Sequence, residues 1–357
     1  MDSDFVYVIG LMSGTSLDGL DIVYVKFDEK DLRNFKILST ETISYSNSWK
    51  EKLQKAIQLP VDQIEKLDIE YGAFLGMETQ KFIEKNKINS IDFIASHGHT
   101  IFHQPDKGIT LQIGNGQEIS DHTDCKVVCD FRAQDVQYGG QGAPLVPIGD
   151  QLLFSDYDAC VNLGGFANIS FEKSGERIAF DICPVNIVLN FFSRKIGLDY
   201  DDKGVEASKG QIDEKLLEKL NGLEFYKFVP PKSLGLEWVN QFVFPLFNFT
   251  ENTIETFLRT YVEHVALQIA SVILPYNKVL FTGGGVYNDF LISRINKILE
   301  TEIIVIPSTE IIDYKESLIF ALLGLLKLQG KVNCLSSVTG AKKNHSSGRI
   351  FNPNNSY

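Results

Sequence analysis

Short runs of alternating or wholly apolar residues are separated by glycine-rich turns, and longer segments of helical spacing lie between them. The runs from Phe5 to Leu11 and from Leu20 to Phe27 flank a small polar turn, and Lys36 to Tyr45 follows as a third run. Strand-like runs around a glycine turn predict a β-hairpin extended into a meander. The segment from Val61 to Lys87 carries apolar residues at spacings of three and four, which predicts a long amphipathic helix.

Two further apolar runs of the first half end in polar or charged residues. The run from Ile91 to Ser96 leads into His97, and the run that starts at Lys126 ends at Arg132. In an open α/β sheet, ligands bind outside the carboxyl ends of the strands. We therefore expect both strand ends to face a ligand.

The second half has the same layout. Ala159 to Leu163, the turn Gly164-Gly165 and Ala167 to Phe171 predict a second hairpin, and the strand from Arg177 to Ile182 ends near Asp181. Helical spacing follows, with a long helix predicted over 253–274, and an apolar helix over 314–328. Because no residue-by-residue repeat joins the halves, the duplication is an inference from architecture.

The length of 357 residues predicts two domains. A break rich in glycine and proline at 139–147 indicates the crossing between them. We expect residues 1–135, joined by the C-terminal segment 340–357, to form the N-terminal domain. Residues 136–339 are expected to form the C-terminal domain.

Composition is that of a globular protein, with 44% hydrophobic and 22% charged residues. The formal net charge of −12, without a strong basic cluster, argues against binding to nucleic acid or an anionic membrane surface. We find neither a signal segment nor an apolar run long enough to span a bilayer, and we expect a cytoplasmic protein. The five cysteines contain no Cys-x-x-Cys pair and are expected to be reduced.

The first turn, Gly14 to Asp18, has the composition of a phosphate-binding loop. Gly14 in this turn, with Gly10 and Gly19 on either side of it, lets backbone N–H groups approach an anion, and Thr15 and Ser16 add hydroxyl donors. Asp18 and the nearby Asp21 suit a Mg²⁺ ion that accompanies the phosphates. The alternative is a glycine-rich hairpin turn without a ligand.

Eight short motifs occur one after another along the chain. They are Gly14-Thr15-Ser16-Leu17-Asp18-Gly19, His97-Gly98-x-Thr100, Thr110-Leu111-Gln112-Ile113-Gly114, Asp130-Phe131-Arg132-x-x-Asp135, Gly139-Gly140-Gln141-Gly142-Ala143-Pro144-Leu145, Asn162-Leu163-Gly164-Gly165-x-Ala167-Asn168, Thr282-Gly283-Gly284-Gly285 and Val338-Thr339-Gly340-Ala341. In this order and over the whole chain they resemble the anhydro-N-acetylmuramic acid kinases.

The resemblance implies a fold and a reaction. The fold is α/β, a two-domain duplicated actin/hexokinase-like ATPase fold with a nucleotide cleft between the domains that holds ATP and Mg²⁺. In the reaction, water opens the internal anhydro bond of 1,6-anhydro-N-acetylmuramic acid, and the freed oxygen takes the γ-phosphoryl group. The product is N-acetylmuramic acid 6-phosphate, in the reuse of cell-wall fragments. A homodimer is implied by the resemblance alone.

The resemblance also assigns residues. Asp181 matches the catalytic aspartate, and His97, Arg132, Asn186 and Glu316 are expected at the sugar. The nucleotide is expected at Gly14, Thr15, Ser16, Leu17, Asp18, Gly19, Leu20, Asp21, Gly164, Gly165, Asn168, Gly283, Gly284 and Gly285, with the metal at Asp18 and Asp21.

Each sugar-site residue has a simpler structural explanation. Asp181 can be a strand-end carboxylate that accepts local backbone N–H groups, and Arg132 can pair with Asp130 or Asp135. Glu316 can be an exposed glutamate in the first turn of a helix, and His97 a neutral histidine bonded within its turn.

Two departures from the family pattern fall near the expected sugar site. Cys183 and Val185 stand where the family has glycines, and His99 stands where it commonly has glutamine. We expect Val185 to alter the loop or the pocket volume beside Asp181. A kinase of another amino sugar therefore remains an alternative, as does a non-catalytic nucleotide-binding sensor of cell-wall fragments.

Overall fold

A computed structural model describes residues 4–14, 17–250 and 252–354. The strands are β1 (Phe5–Ser13), β2 (Gly19–Asp28), β3 (Lys36–Ser44), β4 (Phe93–Ser96), β5 (His99–Gln104), β6 (Ile109–Ile113), β7 (Val127–Cys129), β8 (Ala159–Leu163), β9 (Phe166–Lys173), β10 (Glu176–Pro184), β11 (Val279–Thr282), β12 (Ile304–Val305) and β13 (Arg349–Phe351). The α-helices are α1 (Asn47–Lys55), α2 (Val61–Lys85), α3 (Gly116–Thr123), α4 (Ala133–Gln137), α5 (Pro147–Leu153), α6 (Asn186–Lys195), α7 (Val205–Lys209), α8 (Glu214–Asn221), α9 (Leu236–Trp238), α10 (Ile254–Ile273), α11 (Asp289–Leu299), α12 (Thr309–Leu328) and α13 (Ser336–Thr339).

The chain divides into two compact units. Unit 1 comprises Met1–Ser155 and Tyr314–Tyr357, and unit 2 comprises Asp156–Asp313. The crossing therefore lies about twenty residues later than the expected boundary after residue 135, because 136–155 belong to unit 1. The return to unit 1 comes at Tyr314 rather than at 340, so that most of α12 is part of unit 1.

Unit 1 is built around a six-stranded sheet of order β13-β7-β4-β1-β2-β3. The first three strands form the predicted antiparallel meander, β4 pairs in parallel with β1, and β7 pairs in parallel with β4. A Cβ at Gly10 of β1 would overlap the carbonyl oxygen of Ser317. The absence of a side chain there lets α12 lie directly against the sheet.

Unit 2 is built around a five-stranded sheet of order β10-β9-β8-β11-β12. Again the first three strands form an antiparallel meander, β11 pairs in parallel with β8, and β12 pairs in parallel with β11. The same order and direction recur in β3-β2-β1-β4-β7 of unit 1. The predicted duplicated α/β fold is therefore confirmed, while the expectation about a cleft stays a prediction.

Each unit has its own apolar core. In unit 1, Tyr71 and Leu75 of α2 pack with Ile9 and Leu11 of β1. In unit 2, the long helix α10 contributes much of the core, and every one of Phe257, Tyr261, Val265, Ile269 and Ile273 is fully buried. No helix in the described ranges combines the length and apolarity needed to cross a membrane. All five cysteines are free thiols.

Two predicted element boundaries were wrong. The strand expected to run through Arg132 ends at Cys129, because Asp130 adopts φ +59°, which takes the backbone out of the strand conformation. Arg132 then caps α4. The strand that carries Asp181 continues to Pro184, so Asp181 is not at its end.

Candidate active site

The parallel strands of unit 1 end at one edge of the sheet. Since β1, β4 and β7 run in the same direction, the segments that follow their last residues lie side by side. Ser13 is the last residue of β1, His97 follows β4, and Arg132 follows β7 after a two-residue turn. Both polar strand ends therefore lie at one edge of the unit 1 sheet, and the expectation that they face a ligand stays a prediction.

His97 and Arg132 are in direct contact. Arg132 Nε donates to His97 Nε2 at 3.0 Å, and Arg132 Nη1 donates to the carbonyl oxygen of Gly142 at 2.7 Å. Burial and the neighbouring guanidinium lower the pKa of His97 well below its usual value. The imidazole is therefore neutral and carries its proton on Nδ1, which lies 2.9 Å from the Gly98 carbonyl oxygen.

These contacts contradict the simpler explanation of Arg132 as an ion pair with Asp130 or Asp135, while its contact with a substrate stays a prediction. Its partners are a histidine nitrogen and a backbone carbonyl, not the carboxylates of Asp130 or Asp135. Two neutral acceptors hold the guanidinium without neutralising it. The positive charge of Arg132 remains available to an anionic ligand.

Glu316 lies in α12 near Arg132. The helix begins at Thr309, so Glu316 is not in its first turn, and the side chain is open to solvent. Desolvation by the neighbouring protein raises the pKa of Glu316, and the positive charges of Arg132 and Lys315 oppose that shift. The adjacent Lys315 is buried and its Nζ lies 2.6 Å from Asp150 Oδ1, which attaches α12 to α5.

The end of β1 is held by a buried hydrogen-bond chain. Ser13 Oγ lies 2.9 Å from His99 Nδ1 and accepts a hydrogen bond of 2.7 Å from the Tyr45 hydroxyl. The Tyr45 and Tyr71 hydroxyl oxygens are 2.6 Å apart. Burial lowers the pKa of His99 to about 4, so this imidazole is neutral at physiological pH.

The predicted phosphate loop connects β1 and β2. Thr15 and Ser16 lie outside the described residues. Gly14 is half-buried, Asp18 is exposed, and Leu17 adopts φ +61° with its N–H donating to the Gly14 carbonyl oxygen. Gly14, Leu17 and Asp18 therefore lie at the sheet edge that also carries Ser13.

Gly19 and Leu20 contribute to packing. A Cβ at Gly19 would lie 2.5 Å from the carbonyl oxygen of Ile43 in β3, and Leu20 is buried in the unit 1 core. Neither residue offers a side chain to a ligand. Asp21 lies on β2, and its Oδ1 accepts a 2.6 Å hydrogen bond from Thr42 Oγ1.

Unit 2 brings its two glycine turns together. A Cβ at Gly283 would lie 2.5 Å from Asn162 Oδ1, and a Cβ at Gly164 would lie 3.3 Å from Asn162 Nδ2. Gly285 in turn lies against Leu163. Sequence reasoning did not assign Asn162 a role, although it opens one of the eight motifs. Its amide lies between the β8–β9 turn and the turn after β11.

The helix α6 begins at the same place. The backbone N–H groups of Asn186 and Ile187 donate to the carbonyl oxygens of Gly164 and Gly165, each at 3.3 Å. A Cβ at Gly285 would lie 3.4 Å from Asn186 Nδ2. Asn186, expected at the sugar, is thus placed beside the glycines expected at the nucleotide.

The five glycines of these turns differ in surroundings. A Cβ at Gly284 would meet no heavy atom within 4 Å, and a Cβ at Gly165 would meet only Ile187 Cβ, at 4.0 Å. Gly283 and Gly285, by contrast, are in close contact with the β8 end. Within unit 2, the backbone is therefore open to an approaching ligand at Gly165 and Gly284.

Asp181 belongs to a polar row that crosses the unit 2 sheet. It pairs with Asn168 of β9, which pairs with Asn162 of β8, and Asn162 pairs with Thr282 of β11. Directly opposed residues on neighbouring strands point to the same face. A bulge follows Asp181, since the register shifts between Asp181 and Cys183.

The carboxylate of Asp181 is half-buried and partly satisfied. Its Oδ2 accepts a 2.8 Å hydrogen bond from the N–H of Leu234, and its own N–H donates to the Lys232 carbonyl oxygen. Burial raises the pKa of Asp181, and the Leu234 hydrogen bond opposes that shift. A backbone N–H does satisfy one oxygen, but it comes from a distant loop. Within the described residues, Oδ1 accepts no hydrogen bond.

The structure contradicts the expectation that Val185 changes the pocket volume beside Asp181, whereas a loop conformation that differs from the family's stays a prediction. The side chains of Cys183 and Val185 are fully buried in the unit 2 core, and Val185 takes φ −127° as the residue before α6. No positive φ is required at Val185, so its β-branch creates no strain. These substitutions fill the core behind the sheet, and they do not add bulk to a ligand-facing surface.

Asp135 joins three of the motifs. Its Oδ2 accepts from the Gly142 N–H at 2.7 Å, and its Oδ1 accepts from Thr339 Oγ1 at 2.8 Å. The Gln141 N–H donates to the Thr339 carbonyl oxygen at 2.7 Å. Asp135 therefore fixes the loop whose Gly142 carbonyl oxygen accepts a hydrogen bond from Arg132. The sequence suggested Asp135 only as a possible ion-pair partner of Arg132, not as the residue that holds this loop.

Comparison with known proteins identifies the family. The family model described as anhydro-N-acetylmuramic acid kinase matches residues 6–353. This chain belongs to that family. An anhydro-N-acetylmuramic acid kinase of Francisella tularensis subsp. novicida is 33% identical, over 98% of this chain and 99% of the relative. One of Bacillus cereus (strain Q1) is 32% identical, over 98% of this chain and 100% of the relative.

Family membership confirms the predicted enzyme class, a kinase. Among solved structures, the (R)-2-hydroxyglutaryl-CoA dehydratase component A of Acidaminococcus fermentans aligns at a TM-score of 0.46 and 11% identity, covering 89% of this chain and 96% of that one.

Proposed function

We propose that this chain is an ATP-dependent kinase that hydrolytically opens 1,6-anhydro-N-acetylmuramic acid and phosphorylates it to N-acetylmuramic acid 6-phosphate. Water adds to the anomeric carbon and loses a proton, the anhydro bond breaks, and the freed sugar oxygen takes the γ-phosphoryl group of ATP. ADP is the second product. The full-length relatives with this name support the assignment.

The observation that carries the proposal is the surroundings of Asp181. Its carboxylate is held by one backbone N–H at Oδ2 and lies in a polar row that leads through Asn168 and Asn162 to the glycine turns. A carboxylate fixed at one oxygen and open at the other is suited to take a proton from water. Asp181 is accordingly the base of the proposed reaction.

Arg132 is the proposed anchor for the sugar's lactyl carboxylate. Its guanidinium is oriented by His97 and Gly142, and its charge is not paired by Asp130 or Asp135. A planar, permanently charged fork suits a carboxylate because it can donate two hydrogen bonds. Glu316, open to solvent near Arg132, is proposed to accept hydrogen bonds from sugar hydroxyls.

The phosphates of ATP are proposed to lie at the two glycine turns, Gly14–Asp18 and Gly164–Gly165, which occupy the same position in the two duplicated sheets. Gly284 is proposed to lie against the nucleotide. The carboxylate oxygens of Asp18 and Asp21 fit Mg²⁺, which favours oxygen ligands. When bound, Mg²⁺ would neutralise phosphate charge.

An ADP-release assay tests the proposal directly. The full-length protein is offered ATP with 1,6-anhydro-N-acetylmuramic acid, N-acetylmuramic acid or N-acetylglucosamine, and the sugar products are identified by mass. We expect ADP release with the anhydro sugar, and a product heavier by one water and one phosphoryl group. Turnover of N-acetylglucosamine without turnover of the anhydro sugar would refute the assignment in favour of another amino-sugar kinase. Nucleotide binding without turnover of any sugar would favour a sensor.

A further inference from the structure

A buried cluster in unit 1 combines a carboxylate, a thiol and an imidazole. It consists of Asp135, Cys334 and His345, whose potential ligand atoms all lie within 4.8 Å of one another. The three residues are 0%, 1% and 6% exposed. They are not part of the proposed catalytic reaction, and nothing in that reaction explains why an imidazole lies there.

Backbone pairing places two of these side chains next to each other. Cys334 and His345 form an antiparallel bridge in which each N–H donates to the other's carbonyl oxygen, at 3.1 and 3.2 Å. Directly opposed residues of such a pair project their side chains to the same side. The neighbouring Asn333 fixes the bridge, because its side chain bonds to the backbone of Leu323 and Ser347.

The His345 ring has one nitrogen with a partner and one without. Its Nδ1 lies 3.1 Å from the Lys343 carbonyl oxygen, which can only accept, so Nδ1 carries a proton. Its Nε2 is buried and makes no hydrogen bond, and it lies 3.5 Å from Asp135 Oδ1. With the proton on Nδ1, Nε2 and Asp135 Oδ1 are both hydrogen-bond acceptors without a proton between them. A cation bound between these two atoms would remove their repulsion.

We propose that Asp135, Cys334 and His345 bind a borderline-soft divalent cation of the Zn²⁺ class. Such ions take thiolate, imidazole nitrogen and carboxylate ligands at about 2.0–2.3 Å in tetrahedral sites. That geometry leaves neighbouring ligand atoms roughly 3.3–3.8 Å apart. The 3.5 Å between Nε2 and Oδ1 fits that spacing. One thiolate and one carboxylate together balance a charge of +2, which a buried site requires.

The surroundings of the cluster match the usual support of a metal site. The Lys343 carbonyl fixes the His345 tautomer that leaves Nε2 free to bind. Thr339 Oγ1 and the Gly142 N–H each donate to one oxygen of Asp135 and orient its carboxylate. These partners would hold the ligands in place before the ion arrives.

The bound ion would brace the segment that carries Arg132. Asp135 lies in α4, less than one turn after Arg132, and Cys334 Sγ lies 4.0 Å from the Phe131 carbonyl oxygen. Cys334 and His345 come from the C-terminal segment. The ion would therefore connect α4 to that segment, behind the proposed sugar site, and its role would be structural.

Cobalt titration of the full-length protein tests the site. The protein is freed of metal with a chelator and titrated with Co²⁺ while thiolate-to-cobalt charge-transfer absorption is followed. We expect the absorption to reach a plateau at one equivalent, to be displaced by Zn²⁺, and to persist in excess Mg²⁺. Oxygen-ligated Mg²⁺ sites at a nucleotide give no thiolate absorption, so this readout is specific to the cluster.

Matched variants separate the cluster from other thiols and imidazoles. Cys334→Ser and His345→Gln should each weaken Co²⁺ binding at least ~10-fold. The controls Cys125→Ser and His122→Gln should leave it unchanged; His122 Nδ1 also contacts a backbone carbonyl oxygen, but outside the cluster.

The wild-type titration keeps the proposal falsifiable even if a variant fails to fold. Absence of stoichiometric binding by the wild-type protein would overturn the proposal and leave the 3.5 Å approach of His345 Nε2 to Asp135 Oδ1 as a contact without an ion. Unchanged binding in both Cys334→Ser and His345→Gln would overturn it as well.

Discussion

Asp181 combines the two properties that a general base needs, a fixed position and an oxygen open to water. Replacing it by Asn keeps the shape and the hydrogen bond from Leu234 but removes the proton acceptor. Asp181→Asn should therefore lower kcat by roughly 10² to 10⁴ while ATP and sugar still bind. Steady-state kinetics with calorimetric binding tests this. A variant that keeps more than about a tenth of wild-type turnover would return Asp181 to a purely structural role.

The pH profile gives a second test of the same residue. Burial raises the pKa of Asp181 above the usual 3.8, and a base acts only when ionised. In the wild type, kcat/KM should fall as pH drops through this raised pKa, so the acidic limb should lie above pH 3.8. The residual activity of Asp181→Asn should lack that limb. An unchanged limb in the variant would assign it to another group.

His99 makes the stability of unit 1 depend on pH. Its pKa is lowered from 6.5 to about 4 in the folded protein, so the unfolded chain binds the proton more readily. The stabilising contribution is present above pH 6.5 and is lost as pH falls toward 4. At pH 5 this loss amounts to about 2 kcal/mol.

Urea unfolding of wild type and His99→Gln at pH 7.5 and pH 5 measures that contribution. Glutamine can keep a hydrogen bond to Ser13 but does not titrate. The wild type should lose about 2 kcal/mol more than the variant between the two pH values. Equal losses would mean that His99 is protonated in the folded protein at little cost.

At the scale of turns and strands, the glycines after β11 have different tasks. Gly283 and Gly285 lie against the end of β8, whereas Gly284 faces open space. Gly284→Val should leave the free energy of unfolding nearly unchanged and weaken ATP binding at least ~10-fold, because the new side chain occupies space needed by the nucleotide. Calorimetry with ATP and urea unfolding give the two quantities. Unchanged ATP affinity would remove this turn from the nucleotide site.

Gly285→Ala is the matched control for that turn. A Cβ at Gly285 would lie 2.8 Å from Leu163 Cβ and 2.9 Å from the Leu163 carbonyl oxygen, distances that force the turn to move. This variant should lose stability by roughly 1–3 kcal/mol. The sequence presents Gly283-Gly284-Gly285 as three equal residues, and only their packing distinguishes them.

The elements themselves were largely predictable, because strand and helix patterns reflect local burial. The hairpin strands β8 and β9 and the helix α10 appear within a few residues of their predicted bounds. The end of β7 was not predictable, since the positive φ of Asp130 depends on tertiary surroundings. The burial of Cys183 and Val185 was not predictable either. Their departure from the family's glycines suggested a changed pocket, whereas the fold places both side chains in the core.

At the scale of the whole chain, two halves and a C-terminal return were foreseeable, but the boundaries were not. Composition breaks mark the glycine-rich segment at 139–147, yet contacts made much later in the chain decide where that segment belongs. The ion pair between Lys315 and Asp150 is one such contact, and it attaches α5 to α12 within unit 1. Because Lys315 and Asp150 are far apart in the sequence, no local sequence pattern predicts that they pair.

Unit 2 consists of one chain segment and unit 1 of two, and this difference leads to the last prediction. Unit 2 is one uninterrupted stretch with its own sheet and core, so a fragment of residues 156–313 should unfold cooperatively when heated. Residues 1–155 alone should not, because they lack α12, whose Ser317 carbonyl contacts Gly10, and β13, which pairs with β7. Circular dichroism and calorimetry of both fragments measure this. A cooperative transition in 1–155, or none in 156–313, would contradict the assignment of two independently built cores.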